Sequence, residues 1–262
     1  MQIIVDAALD ALLTFGIYDF HNFGGGDTRQ SLSIPAGASV RISVQWDEPF
    51  FSVTGDFDAQ ATTDMDIYLL NQSNNALLAF ALEDNVSNGD AVELLEFENT
   101  TGSTIQADLV IARFNIEDAP SRIKYIVFGD DININEFNTN SSTLFGHPNA
   151  EGAAGVGAAF WEDTPPFGTD PALINSYSSR GGTPILFDLA GNPLNIVRPK
   201  PEFTGPDGGD NTFFGEQFND GNSFPNFFGT SAAAPTWPPW QRSCWNWPED
   251  RTHLAPPKSR IS

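Results

Sequence analysis

Between about residues 29 and 128 apolar and polar side chains alternate with a period of two. In "SVRISVQW" the residues Val40, Ile42, Val44 and Trp46 fall on one face, and Arg41, Ser43 and Gln45 on the other. "DMDIYLL" repeats the pattern, with Met65, Ile67 and Leu69 set against Asp64, Asp66 and Tyr68. "DAVELLEFEN", "ADLVIARF" and "RIKYIVFG" supply three more strand-length runs, separated by clusters of Asn, Gly, Ser and Pro. Short alternating strands joined by polar turns predict an all-β antiparallel sandwich over 17–128.

The pattern then changes. A linker-like stretch, "GDDININEFNTNSSTLFG", leads into "GHPNAEGAAGVGAAFW", whose small residues suit close packing of a helix on a strand. "INSYSSRGG", "ILFDLAGN" and "RPKPEFTGPDGG" are short segments rich in Pro and Gly. Residues 129–235 therefore predict pieces of an α/β domain with its active-site loops rather than a second sandwich.

The chain has 262 residues, with 34 acidic against 12 basic side chains and a net charge of −22. That sign argues against nucleic acid and anionic membrane surfaces as partners. No run of about twenty apolar residues is available to span a bilayer. One cysteine, Cys244, cannot form an internal disulfide framework. "MQIIVDAALDALLTFG" carries Asp6 and Asp10 but no positive start and no small-residue cleavage site, so it is not read as a signal peptide.

The candidate chemistry lies in "GTSAAAP", where Gly229 and Thr230 lead into Ser231 and three alanines open a helix. A serine at a helix N-terminus has free backbone N–H groups beside it that can hold a developing oxyanion. The small neighbours let a peptide approach the hydroxyl. Serine alone is a weak nucleophile and needs a histidine base oriented by a carboxylate. Taken by itself, the stretch reads first as an N-cap serine before an ordinary helix.

The neighbouring stretches favour the first alternative. "GTSAAAP" resembles the G-T-S-x-A-x-P nucleophile motif of the subtilisin-like serine peptidases. "HPNAEGAAGVGAAF" resembles that family's segment around V-G-A, "INSYSSRGG" its F-S-S-x-G turn, and "KPEFTGPDGG" its K-P-D-[IV]-x-A-P-G stretch. The resemblance covers about residues 140–235, with the motifs in the family's order. It implies a serine endopeptidase acting on protein or peptide substrates through an acyl-enzyme on Ser231, whose backbone N–H is one oxyanion donor. It also implies a bacterial-type secreted or cell-surface location.

The family's Asp, His and oxyanion-hole Asn do not carry over. His21 in "YDFHNFGGGD", His147 in "FGHPNAEG" and His253 in the tail lack the H-G-T setting, and no D-[ST]-G or A-A-G-N stretch occurs. The chain is therefore expected to start after those elements, with residues 1–16 a remnant of the peptidase domain. The 17–128 sandwich is then an insertion resembling the pre-peptidase C-terminal modules of some bacterial subtilases. Lacking a base, the chain on its own is expected to be inactive. The competing expectation is a non-catalytic β-sandwich module that binds protein or glycan.

After Pro235 the family continues with an apolar helix beginning His-Val-Ala, whereas this chain continues "TWPPWQRSCWNWP", whose paired prolines break a helix. Read one base earlier, codons for that tail are compatible with "HVAAVAALMLELA", and its closing Leu-Glu-Leu-Ala follows whatever synonymous codons are used. Residues 236–262 are thus expected to be a disordered, frameshifted tail in which Cys244 and His253 have no role. A genuine, divergent Trp-rich terminus is the alternative. No cofactor is expected. The loops "GPDGGDN" and "QFNDGNSF" offer oxygen ligands for a structural calcium ion, but neither matches the twelve-residue loop ending in Glu, and both also read as solvated turns.

Overall fold

The computed structural model describes residues 19–114, 119–213, 215–217 and 220–236. The expected remnant over 1–16 lies outside them, as does the Trp-rich tail beyond 236 with Cys244 and His253. Within the described residues the chain is mostly β-strand with few, short helices, and its sheets are predominantly antiparallel. No described helix is long and apolar enough to cross a membrane. The chain divides into two compact units, residues 1–141 with 184–196, and residues 142–183 with 197–262.

The first unit begins with β1 (Asp19–Phe20), β2 (Gln30–Ile34), β3 (Ser39–Trp46) and the short helix α1 (Phe51–Thr54). It continues with β4 (Met65–Asn71), β5 (Leu77–Ala81), α2 (Asn85–Asn88), β6 (Val92–Glu98), β7 (Ile105–Arg113), β8 (Ile123–Phe128) and β9 (Asn133–Ile134). One sheet has the order β5-β4-β7-β2-β9, with β1 also on β7; the other has the order β6-β3-β8. All of these pairings are antiparallel.

Both sheets contribute to one apolar core. Leu32, Ile34, Ile67, Leu69, Leu109 and Ile111 come from the first, and Val40, Ile42, Val44, Trp46 and Leu95 from the second. β3 shows the alternation the sequence predicts, with Val40, Ile42, Val44 and Trp46 buried between more exposed neighbours. β4 differs. Met65, Ile67 and Leu69 join the main core as expected, but Asp66, Tyr68 and Leu70 are buried as well. A second apolar cluster of Tyr68, Leu70, Val110 and Ala112, with Phe20 and Leu77 against it, covers the other face of this strand.

The second unit opens on a 3-10 turn at His147–Asn149 and then β10 (Val156–Phe160). The chain next forms the hairpin β11 (Pro184–Phe187) and β12 (Pro193–Val197), whose residues up to Ile196 group with the first unit. The tip of this hairpin lies so close to the 49–59 segment that a Cβ on Gly191 would meet Ala59 at 2.7 Å. The remaining elements are β13 (Phe203–Asp207), β14 (Gly209–Asp210), β15 (Glu216–Gln217), β16 (Pro225–Phe227) and α3 (Thr230–Thr236). β10 and β13 pair in parallel from Val156↔Phe203 to Phe160↔Asp207, and α3 packs against both. β14 and β15 flank β16 in a small antiparallel sheet.

Candidate functional site

The parallel pair and α3 set the geometry around Ser231. Glycine permits their close approach, since a Cβ on Gly205 of β13 would collide with the Ala233 carbonyl of α3. On the helix side Ala232 and Ala233 are buried, while Ser231 is exposed. The Gly229 carbonyl accepts from Ala232 N at 2.9 Å and Ala233 N at 3.1 Å, closing the first turn. At the other end Thr236 Oγ1 donates to the Pro206 carbonyl at 2.7 Å and to the Ala233 carbonyl at 2.8 Å. Gly229 itself has φ +113°, a conformation that disfavours any side chain.

One buried carboxylate ties this turn to the rest of the unit. Asp207, at the end of β13 and 1% exposed, accepts the Gly229 N–H on Oδ2 at 2.7 Å. Asp207 also accepts from the Tyr177 hydroxyl on Oδ2 and from Asn175 Nδ2 on Oδ1, the latter at 2.9 Å. Partial burial, then the hydrogen bond to Asp207 and its charge, push the Tyr177 phenol up to about 12. The same 174–178 segment lines the edge of β10. Asn175 N donates to the Ala158 carbonyl at 2.9 Å, and Ala158 N donates to Ser178 Oγ at 2.9 Å.

The stretch read as K-P-D-like carries its own internal ion pair. Lys200 Nζ is buried against the Ala153 carbonyl and the Glu202 carboxylate, and Glu202 Oε2 accepts the Gly155 N–H at 2.8 Å. A Cβ on Gly181 would run into the Lys200 carbonyl, so the 178–182 segment lies against Lys200 only because Gly181 has none.

The four stretches read as one motif set thus lie in one unit, and Ser231 stands at the first turn of α3. Neither described histidine is bonded to this serine. His21, in the first unit, packs edge-on to Phe23 at 4.7 Å between ring centroids, and burial lowers its pKa. His147 is exposed in its 3-10 turn. Among the described residues no histidine or carboxylate is hydrogen-bonded to the Ser231 hydroxyl, and the Ser231 N–H is likewise unpaired.

The two acidic loops converge. Asn226, 2% exposed, donates to Asp210 Oδ1 at 3.1 Å, Asp220 Oδ2 at 3.0 Å and the Gly208 carbonyl at 3.0 Å. The hydrogen bond from Asn226 holds the Asp220 carboxyl below its ordinary range. Among the described residues, no group of three or more His, Cys, Asp or Glu side chains is placed to hold a metal ion.

Sequence reasoning missed Asp207, Asn175, Tyr177 and Asn226. Asp207 left a trace, because it stands where the compared K-P-D-[IV]-x-A-P-G stretch ends in Gly. A carboxylate placed against a backbone turn needs donors, and Asn175 and Tyr177 supply them from 32 and 30 residues away along the chain. No protein-family model, curated protein or solved structure matches the chain.

Proposed function

We propose that the chain is the C-terminal part of a subtilisin-like serine endopeptidase carrying an inserted β-sandwich, with Ser231 as the nucleophile. Its fold would then be a partial subtilisin-like α/β domain beside an all-β antiparallel sandwich. The observation that carries this reading is the position of Ser231. It is exposed at the first turn of a helix packed on two parallel strands, one from the V-G-A-like segment and one from the K-P-D-like segment.

In the proposed reaction Ser231 Oγ attacks the carbonyl carbon of a peptide bond, and the Ser231 N–H, unpaired among the described residues, would donate to the developing oxyanion. The proton leaving Oγ needs a base that no described residue supplies to it. On this reading the chain on its own is inactive, and the substrates of the whole peptidase are proteins or peptides met outside the cell or at its surface. A fluorophosphonate probe on the full chain tests this. The expected result is no labelling of Ser231 above a Ser231→Ala control; stoichiometric labelling overturns the inactivity of the lone chain.

The second reading is a binding module for protein or glycan. It is favoured by the first unit, which closes its own core and leaves Phe57 and Phe80 exposed. A peptide and glycan array probed with the full chain separates the two. Binding that survives Ser231→Ala and is lost on Phe57→Ala or Phe80→Ala supports the module, whereas a blank array opposes it.

A further inference from the structure

On β6, Glu93 shares its inward face with Leu95 and Phe97, both of which pack in the main core of the first unit. Glu93 is 0% exposed. Its Oε1 accepts two hydrogen bonds, from Asn85 Nδ2 at 3.2 Å and from Glu83 N at 3.1 Å, while its buried Oε2 has no partner. A fully buried carboxyl with one bare oxygen and no cation paired to it is costly to ionise, so burial favours its neutral form.

Asn85 makes this carboxyl part of a knot. The Asn85 side chain also donates to the Asp90 carbonyl at 3.2 Å and the Val92 carbonyl at 3.1 Å, and its Oδ1 accepts Met65 N from β4 at 3.1 Å. Asn85 opens α2, so Glu93 holds the connection between β5 and β6 onto the neighbouring sheet.

The charges that act on this carboxyl are acidic, and the cation nearest the knot in register is Arg113, opposite Met65 on β7 and paired with Asp19. Glu83 and Asp66 act on the carboxyl through their charges. Asp64 accepts the Asn85 N–H, and Asp84 caps α2. Val44 stands opposite Glu93 on β3, and Tyr125 follows in the same row on β8, its hydroxyl donated to Gln30 at 2.8 Å. Among the described residues no Lys, Arg or His forms an ion pair with Glu93.

We propose that Glu93 is a proton-operated latch: held neutral, it fastens α2 and the 83–92 segment to β4, and its ionisation at alkaline pH releases them. Burial is the chief cause that pushes the carboxyl up to about 8, against the two hydrogen bonds and with the help of the Asp66 and Glu83 charges. The folded state thus holds this proton more tightly than the unfolded chain does. The stability the latch contributes is full below the ordinary carboxyl value of 4.5 and is lost as pH rises toward 8. His21, whose pKa is lowered by burial, acts in the opposite sense toward acid pH and is common to the proteins compared below.

The test is denaturant unfolding of the full chain and of Glu93→Gln between pH 5 and pH 9, with hydrogen exchange of the wild-type amides over the same range, corrected for intrinsic rates. From pH 6 to pH 8 the wild-type unfolding constant is expected to rise at least ~10-fold more than that of Glu93→Gln. The Met65 and Glu83 amides are expected to lose protection over the same interval. Parallel pH profiles for the two proteins overturn the latch. Should Glu93→Gln fail to fold, the wild-type amides decide: protection unchanged up to pH 9 overturns it, and selective loss at Met65 and Glu83 upholds it.

Discussion

The two units are held together in different ways. The first buries large aliphatic side chains, among them Leu32, Ile34, Ile42, Ile67, Leu69, Leu109 and Ile111, all at 0% exposure. Among the described residues, the buried apolar side chains of the second are Leu144 and four alanines, Ala158, Ala159, Ala232 and Ala233. Its described residues are packed through glycines at close backbone approaches and the buried polar residues Asn149, Lys200, Asp207 and Asn226. Burial of aliphatic area is forgiving of shape, because its free energy follows area and is non-directional. Glycine contacts and buried hydrogen bonds tolerate far less, since each depends on one particular geometry.

Substitutions can break this contrast in either unit. The largest effect is expected from Gly181→Ala, whose new Cβ would occupy the place of the Lys200 carbonyl. With no flexible side chain there to give way, a loss above about 4 kcal/mol is expected. Limited proteolysis should show 142–183 and 197–236 cleaved while the first unit persists. Ile67→Ala comes next. It removes a 0% exposed core side chain and should destabilise the first unit by about 2–5 kcal/mol in denaturant unfolding.

Asp207→Ala sharpens the comparison from the polar side. It leaves the Gly229 N–H, the Asn175 amide and the Tyr177 hydroxyl without their acceptor, at a cost of about 2–3 kcal/mol. Hydrogen exchange should be faster at Gly229 and through α3, with the first unit unchanged. Equal exchange in the variant and the wild type would show that the carboxylate does not hold the turn.

The same contrast explains what could be read from the sequence. In β3 every inward residue is apolar and every outward one polar, so the period of two named Val40, Ile42, Val44 and Trp46 before any coordinates. The rule faltered at β4, where both faces are covered and Asp66 and Tyr68 are buried, because periodicity cannot report a second layer supplied by Phe20, Leu77 and Val110. The hairpin at 184–196 was not legible in its own residues either. Its place follows from the fit of Gly191 against Ala59, Thr54 and Pro49, which are far away in the sequence.

Of the candidate site, the residue types flagged Ser231 and the small residues around it, since a tight turn entering a helix is a local property. The partners of Asp207 were hidden, because a buried polar network is a property of distant residues brought together. Glu93 was passed over for a related reason. In "DAVELLEFEN" it has the parity of Leu95 and Phe97, whereas Glu96 and Glu98 have the other and face solvent, so the period of two puts it inward but its charge gives no sign of burial there.

The most direct measurement concerns the hydroxyl of Ser231. The chain would be expressed behind the N-terminal part that the proposed reading requires, with "HVAAVAALMLELA" in place of the residues after Pro235, then treated with a fluorophosphonate. The account predicts one equivalent of label on Ser231, absent in Ser231→Ala, whereas the shorter chain takes up none. A folded, extended protein that leaves Ser231 unlabelled would contradict the assignment of this serine as a nucleophile.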